Sequence, residues 1–147
     1  MKKIINEMKL RLPAVSINES VCRAVISSFS AELNPTVEEI ADLRCAVSEA
    51  VTNCIVHAYR DLPLGRVGYI YISARLYDNR EITVEISDNG CGIENVEAAR
   101  APAFTTGRDE ERCGMGFLVM ECFTDSLTVK SKPGRGTTVL MRKILKP

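Results

Sequence analysis

Apolar residues recur along this chain with two different periods, and the change from one to the other divides it into a helical part and a sheet part. Val21, Val25, Ile26 and Phe29 are spaced as one face of a helix that runs to about Leu33. Ser16-Ile17-Asn18-Glu19 precedes them in the order of a capping box, and Asn34-Pro35 closes the segment. A second box, Thr36-Val37-Glu38-Glu39, opens a longer stripe of Ile40, Leu43, Val47, Ala50, Val51, Cys54 and Ala58, which predicts one continuous helix. From Val67 the period shortens to two. Ile70, Ile72, Ala74 and Leu76 alternate with Tyr69, Tyr71, Ser73 and Arg75, and the turn Asp78-Asn79-Arg80 leads into Ile82, Val84 and Ile86. Leu127 to Lys130 and Thr137 to Ile144 predict two more strands around Pro133-Gly134-Arg135-Gly136, and Met8, Leu10 and Leu12 predict an edge strand. Helices grouped apart from hairpin-connected strands point to an α+β fold, a two-layer α/β sandwich, with residues 1–147 as a single domain.

Composition narrows the choice of partners. The 147 residues carry 19 Lys plus Arg against 19 Asp plus Glu, a formal net charge of zero. A nucleic-acid binder gathers cations against phosphates, and no basic surplus or run is present, so direct DNA binding is not expected. No apolar stretch approaches the roughly 20 residues of a membrane span, and the opening Met1-Lys2-Lys3-Ile4-Ile5 does not continue as a signal peptide. A cytoplasmic location is the expectation. The six cysteines include no Cys-x-x-Cys pair and the one histidine is His57, so reduced thiols are expected rather than a zinc site or disulfide framework.

Three polar elements carry candidate chemistry. Glu49, Asn53 and His57 recur every fourth residue on the long helix, about 40° apart in projection, and face away from its apolar stripe. An amide oxygen and a nearby carboxylate suit a magnesium and proton site, although the same residues are consistent with an ordinary solvated helix face. Asp88-Asn89-Gly90-Cys91-Gly92 follows directly after a strand; Asp88 could accept a hydrogen bond from an adenine amino group while Gly90 and Gly92 admit the ring, or the segment could be a glycine-rich turn. Gly114-Met115-Gly116 leads from a polar loop into an apolar helix, an arrangement that offers free N–H groups to a phosphate, and Arg112 just before it could reach a terminal phosphate or be a solvated cation. Neither a Walker sequence nor a Gly-x-Gly-x-x-Gly fingerprint is present.

Taken in order, Ser48-Glu49-Ala50-Val51-Thr52-Asn53, Asp88-x-Gly90-x-Gly92, Pro102-Ala103-Phe104-Thr105-Thr106, Gly114-Met115-Gly116-Phe117 and Gly136-Thr137-Thr138 resemble the GHKL ATPase superfamily of gyrase, heat-shock chaperone, histidine kinase and MutL type. Within it the wording is similar to the anti-sigma serine kinases of sporulating bacteria, over almost the whole chain. The resemblance implies the Bergerat form of the sandwich, with a mixed, mainly antiparallel sheet and helices on one face. It implies ATP and Mg²⁺ as cofactors, with Glu49 as catalytic base and Asn53 as the metal-binding and nucleotide-binding asparagine. Asp88 then matches the adenine-reading aspartate, Gly90 and Gly92 the glycines under the nucleotide, and Thr137 the threonine that backs the aspartate, with Thr138 beside it as a competing match. Gly114 and Gly116 match phosphate-contacting lid glycines; Thr105, Thr106 and Met115 lie within the same lid, and Arg112 matches a γ-phosphate arginine that would act in catalysis.

The implied reaction transfers the γ-phosphoryl group of ATP to a serine of an anti-anti-sigma protein. The same chain would hold a sporulation sigma factor, sigma F, inactive, as a homodimer, with Arg23 on the first helix as a candidate partner contact. The lid departs from the family wording at Gly107, Arg108 and Cys113. Cys91, within the nucleotide loop, reads as a small packed residue or a modifiable thiol. The alternatives are a stress-response anti-sigma kinase, a non-catalytic ATP-bound sigma-binding module, and a sensor kinase domain, which the absence of a separate phosphoacceptor histidine disfavours.

Overall fold

A computed structural model describes residues 1–101 and 116–147 of the chain. Five strands, β1 (Ile4–Pro13), β2 (Tyr69–Tyr77), β3 (Glu81–Ser87), β4 (Ser126–Lys132) and β5 (Gly136–Ile144), form one sheet in the order β1-β2-β3-β5-β4. Every described pairing is antiparallel. The helices are α1 (Ile17–Ser30), α2 (Val37–Asn53), a short α3 (Val96–Arg100) and α4 (Gly116–Phe123). The expected edge strand near the N-terminus is β1, which pairs Met8, Leu10 and Leu12 with Ala74, Ile72 and Ile70.

The period-two pattern determines which face of the sheet is covered. Ile70, Ile72, Ala74 and Leu76 on β2, Ile82, Val84 and Ile86 on β3, and Val139 and Met141 on β5 are buried in one cluster with residues of α1, α2 and α4. Each such aliphatic side chain taken out of water stabilises the fold by about 1.5–3 kcal/mol before the entropy of ordering is counted. Helix α2 packs against both α1 and α4. Both predicted turns form: Arg80 takes a left-handed conformation in the first, and Gly134 and Gly136 have φ of 76° and 97° in the second.

The two capping boxes behave differently. At Thr36 the box is complete, with Glu39 N–H donating to Thr36 Oγ1 at 3.1 Å and Thr36 N–H donating to Glu39 Oε1 at 2.9 Å. At Ser16 the expectation fails. Ser16 has helical backbone angles and its side chain makes no cap hydrogen bond, while Glu19 is engaged by Arg23 and by Ser48 of α2. A tertiary partner has taken the carboxylate that the local motif would have used.

The phase of α1 also differs from expectation. Its fully buried edge is Cys22, Ile26 and Ser30, whereas Val21 is exposed. Val25 and Phe29 lie between these extremes. Cys22 and Ser30 are small side chains that, with Ile26, form the edge of α1 closed to solvent.

The long helix does not run to Ala58 as an α-helix. After Asn53 it continues as a π-helical turn, Cys54–Ala58. With hydrogen bonds reaching one residue farther, the turn widens, and the roughly 40° step between fourth neighbours of an α-helix no longer describes the stretch from Asn53 to His57.

Replacing Thr36 by Ala is expected to cost about 1 kcal/mol of unfolding free energy, and Ser16 by Ala less than about 0.5 kcal/mol. Urea unfolding of the two variants beside the parent protein measures both; equal losses would remove the distinction drawn between the caps.

Candidate active site

The end of α2 and the loop after β3 meet at one end of the sheet. Glu49 and Asn53 are a turn apart on α2, and both are partly exposed. The first residue of α4, Gly116, lies directly against them: a Cβ added there would sit 3.3 Å from Glu49 Oε2 and 3.6 Å from both amide atoms of Asn53. Any larger residue would occupy the space in front of the carboxylate and the amide. The N-terminus of α4 therefore opens towards an amide oxygen and a carboxylate that come from a different helix.

Asn53 and Cys54 are consecutive, about 100° apart around the helix axis, and they serve different halves of the site. While Asn53 lies against Gly116, the buried thiol of Cys54 donates to Asp88 Oδ2 at 3.6 Å. Asp88 follows the last residue of β3 and is 8% exposed. Its Oδ1 accepts from Gly90 N–H at 2.9 Å and from Thr137 N–H at 3.2 Å, and its own N–H donates to the Thr137 carbonyl at 2.9 Å. Burial pushes the Asp88 carboxyl above its ordinary value, and the donated hydrogen bonds offset part of that rise. The thiol of Cys54 is held well above the ordinary cysteine value, first by burial and then by the negative charge of Asp88, so it remains a donor at neutral pH.

Glycines let three backbone segments touch here. A Cβ on Gly90 would lie 2.1 Å from the carbonyl oxygen of Ala58, at the end of the π-helical turn, and that same oxygen accepts from Cys91 N–H at 2.7 Å. Gly92, at φ +75°, packs against the Lys132 carbonyl of the β4–β5 hairpin. The hairpin returns the contact, since Gly134 N–H donates to the Cys91 carbonyl at 2.7 Å and Ser131 Oγ accepts from Ile93 N–H at 2.7 Å. Ser131 and Thr137 hydroxyls are 2.8 Å apart. Tyr59 completes the frame: its hydroxyl accepts from Asn89 N–H at 2.8 Å and donates to the Tyr69 carbonyl.

The fold thus brings Glu49, Asn53 and Gly116 into one cluster, and Asp88, Gly90, Gly92 and Thr137 into an adjoining one. Of the two threonines that competed for the place beside the aspartate, Thr137 is the one bonded to Asp88. Arg23 is not part of either cluster. It is partly buried on α1, 3.2 Å from Glu19, whose carboxylate also accepts from Ser48 Oγ at 2.8 Å. Thr105, Thr106, Arg112, Gly114 and Met115, with the departures at Gly107, Arg108 and Cys113, lie outside the described residues. Cys91 is partly buried, with its thiol directed at the His57 and Gly92 carbonyls.

Three neighbours of the site, Cys54, Tyr59 and Ser131, have no role in the sequence reading of the site. Cys54 belongs there to the apolar stripe, while Gly136, part of the Gly136-Thr137-Thr138 wording, lies so close that a Cβ on it would be 2.1 Å from the Asp88 carbonyl oxygen. Tyr59 and Ser131 carry no local signal, because their partners are 30 and 38 residues away in sequence.

The histidine kinase-like ATPase domain family matches residues 13–143. Among curated proteins, the chain is 53% identical to the anti-sigma F factor of Caldanaerobacter subterraneus over 95% of this chain and 94% of that one. It is 51% identical to the anti-sigma F factor of Thermoanaerobacter pseudethanolicus, over 95% and 94% of the two chains. With the one from Clostridium acetobutylicum it shares 49%, over 94% and 93%. Among solved structures, the RsbU and RsbW domains of a Mycobacterium tuberculosis protein align with a TM-score of 0.68 at 21% identity, over 97% of this chain and 33% of that one. The histidine kinase domain of a blue-light activated kinase from Erythrobacter litoralis aligns with a TM-score of 0.58 at 18% identity, over 91% and 62%. At those identities the two structures bear on the fold alone.

Because folding raises the Asp88 pKa above its ordinary 3.8, the native state holds the proton more tightly than the unfolded chain does. The ionised carboxyl therefore costs stability at neutral pH. That cost fades as pH falls through the folded pKa and is gone below the unfolded value. Relative to the Asp88→Asn variant, the parent protein should gain thermal stability on acidification from neutral pH; parallel melting curves test this, and a gap that widens in the opposite sense would contradict it.

Proposed function

The chain belongs to the histidine kinase-like ATPase family and, within it, to the anti-sigma F factors, and on that premise we propose that it is an ATP-dependent serine kinase that also sequesters a sigma factor. Its partners in this reading are the sporulation sigma factor F, which it holds inactive, and an anti-anti-sigma protein, which it phosphorylates on serine. The observation that carries the reading is the meeting of Glu49, Asn53 and Gly116 beside the buried Asp88 loop. A base, a neutral amide oxygen and a helix N-terminus there lie next to a carboxylate able to accept from a purine amino group.

Each residue's role follows from its chemistry. Asp88 accepts a hydrogen bond from the adenine amino group, and Gly90 and Gly92 keep side chains out of the space under the base. Thr137 holds Asp88 in place through its N–H. Gly116, at the start of α4, presents its backbone N–H to the phosphates, and the family resemblance assigns Gly114 and Met115 to the same contact and Thr105 and Thr106 to the same lid. Arg112 neutralises charge that develops on the γ-phosphoryl group. Glu49 orients the attacking serine hydroxyl and takes its proton.

Magnesium fits the residues present. Asn53 supplies a neutral oxygen of the kind Mg²⁺ accepts, and the missing side chain at Gly116 leaves room beside it for phosphate oxygens and water. When bound, the ion supplies positive charge against the phosphates; Asn53 is the residue that would hold it.

Arg23 contacts a partner protein. Its guanidinium is oriented by Glu19, which Ser48 ties to α2 one residue before Glu49. Sigma binding on α1 and catalysis on α2 are thus linked through the Glu19–Ser48 hydrogen bond, in a protein that acts as a homodimer in the cytoplasm.

Incubation with radiolabelled ATP, Mg²⁺ and the anti-anti-sigma protein should label one serine of the latter. Glu49→Gln is expected to lower that transfer by at least about 100-fold while nucleotide and sigma-factor binding persist. Simultaneous loss of all three would make Glu49 structural. Arg112→Ala should slow transfer more than it weakens ADP binding, and equal losses would remove its γ-phosphate role.

A further inference from the structure

Asp88 has four acceptor positions, and three are already used by the protein. Oδ1 takes two N–H donors, from Gly90 at 2.9 Å and Thr137 at 3.2 Å, which accounts for both of its lone pairs. Oδ2 faces the Cys54 thiol at 3.6 Å, and this contact is buried. Among the described residues no second donor reaches Oδ2, so one acceptor position there remains for a ligand. We propose that Cys54 is a positioning residue for base recognition: its thiol occupies one lone pair of Asp88 Oδ2 and so leaves a single acceptor, in a fixed direction, for one exocyclic amino hydrogen.

The position of Cys54 supports this role independently of the hydrogen bond. It is the first residue of the π-helical turn, directly after Asn53, and the turn ends at Ala58, whose carbonyl holds Cys91 N–H. Cys54 is 3% exposed and its contact with Oδ2 is buried, so bulk water does not compete for that side of the carboxylate. Without the S–H donor, the carboxylate keeps its Oδ1 anchors but gains a second open lone pair on Oδ2, and it can rotate about that anchored oxygen or take a water in place of the base. A serine in the same position restores an O–H donor with a shorter reach.

This role rests on Asp88 as the adenine acceptor, and the experiment separates the two. The parent protein, Cys54→Ala, Cys54→Ser and Asp88→Asn are titrated with ADP and with purine riboside 5′-diphosphate, which lacks only the 6-amino group. Cys54→Ala is expected to weaken ADP binding about three- to tenfold, the scale of one hydrogen bond, and to leave the deaminated analogue unchanged. Cys54→Ser should recover most of the ADP preference. Equal weakening of both ligands by Cys54→Ala, or the parent preference in that variant, would overturn the positioning role while Asp88→Asn still abolishes the preference. Should Asp88→Asn itself keep the parent preference, the adenine role of Asp88 fails and the role of Cys54 fails with it.

Discussion

The approach of Gly90 to the Ala58 carbonyl is the contact on which the rest of the site depends. There the end of the central helix touches the loop that leaves the middle of the sheet, backbone against backbone, with no room for a side chain between them. The Ala58 carbonyl, at the last residue of the π-helical turn, accepts the Cys91 N–H. A helix terminus that would otherwise expose an orphan acceptor is thereby satisfied by the loop it must position. From this junction the Asp88 carboxylate is directed to Cys54 and Thr137, and the β4–β5 hairpin closes against Gly92.

The same arrangement carries a stability cost. A carboxylate at 8% exposure loses most of its hydration, and the hydrogen bonds from Gly90, Thr137 and Cys54 offset only part of the loss. Glu81 is a useful contrast. It is also buried, yet its charge is balanced by ion pairs to Lys2 and Arg142, and its pKa is lowered because those bonds outweigh burial. Glu81 has cationic partners within the fold, whereas the described partners of Asp88 are all neutral donors, which leave its burial only partly offset.

Much of the architecture was legible because burial of one face imposes a period. The alternation of Ile70, Ile72, Ala74 and Leu76, the part of the stripe from Leu43 to Val51, and the turns at Asp78-Asn79-Arg80 and Pro133-Gly134-Arg135-Gly136 appear in the structure as read. Local reading failed where a distant residue competed for the same group. Glu19 is engaged by Ser48 and Arg23 rather than in its capping box, and the buried edge of α1 runs through Cys22 and Ile26 rather than Val21. The π-helical turn has no marker in the residue pattern, since Cys54 and Ala58 fit an α-helical stripe equally well.

The sequence by itself determined which chemical groups exist and on which elements they lie: a carboxylate and an amide four residues apart on a helix, and an acid followed by two glycines at a strand end. Those follow from local spacing, which a linear pattern records. Only the tertiary structure decided that Gly116 lies against Glu49 and Asn53, that Thr137 rather than Thr138 holds Asp88, and that Cys54 and Ser131 border the site. These contacts join residues tens of positions apart. They depend on the direction in which each side chain emerges once the sheet has twisted and α2 has packed across it, and no local period encodes that direction.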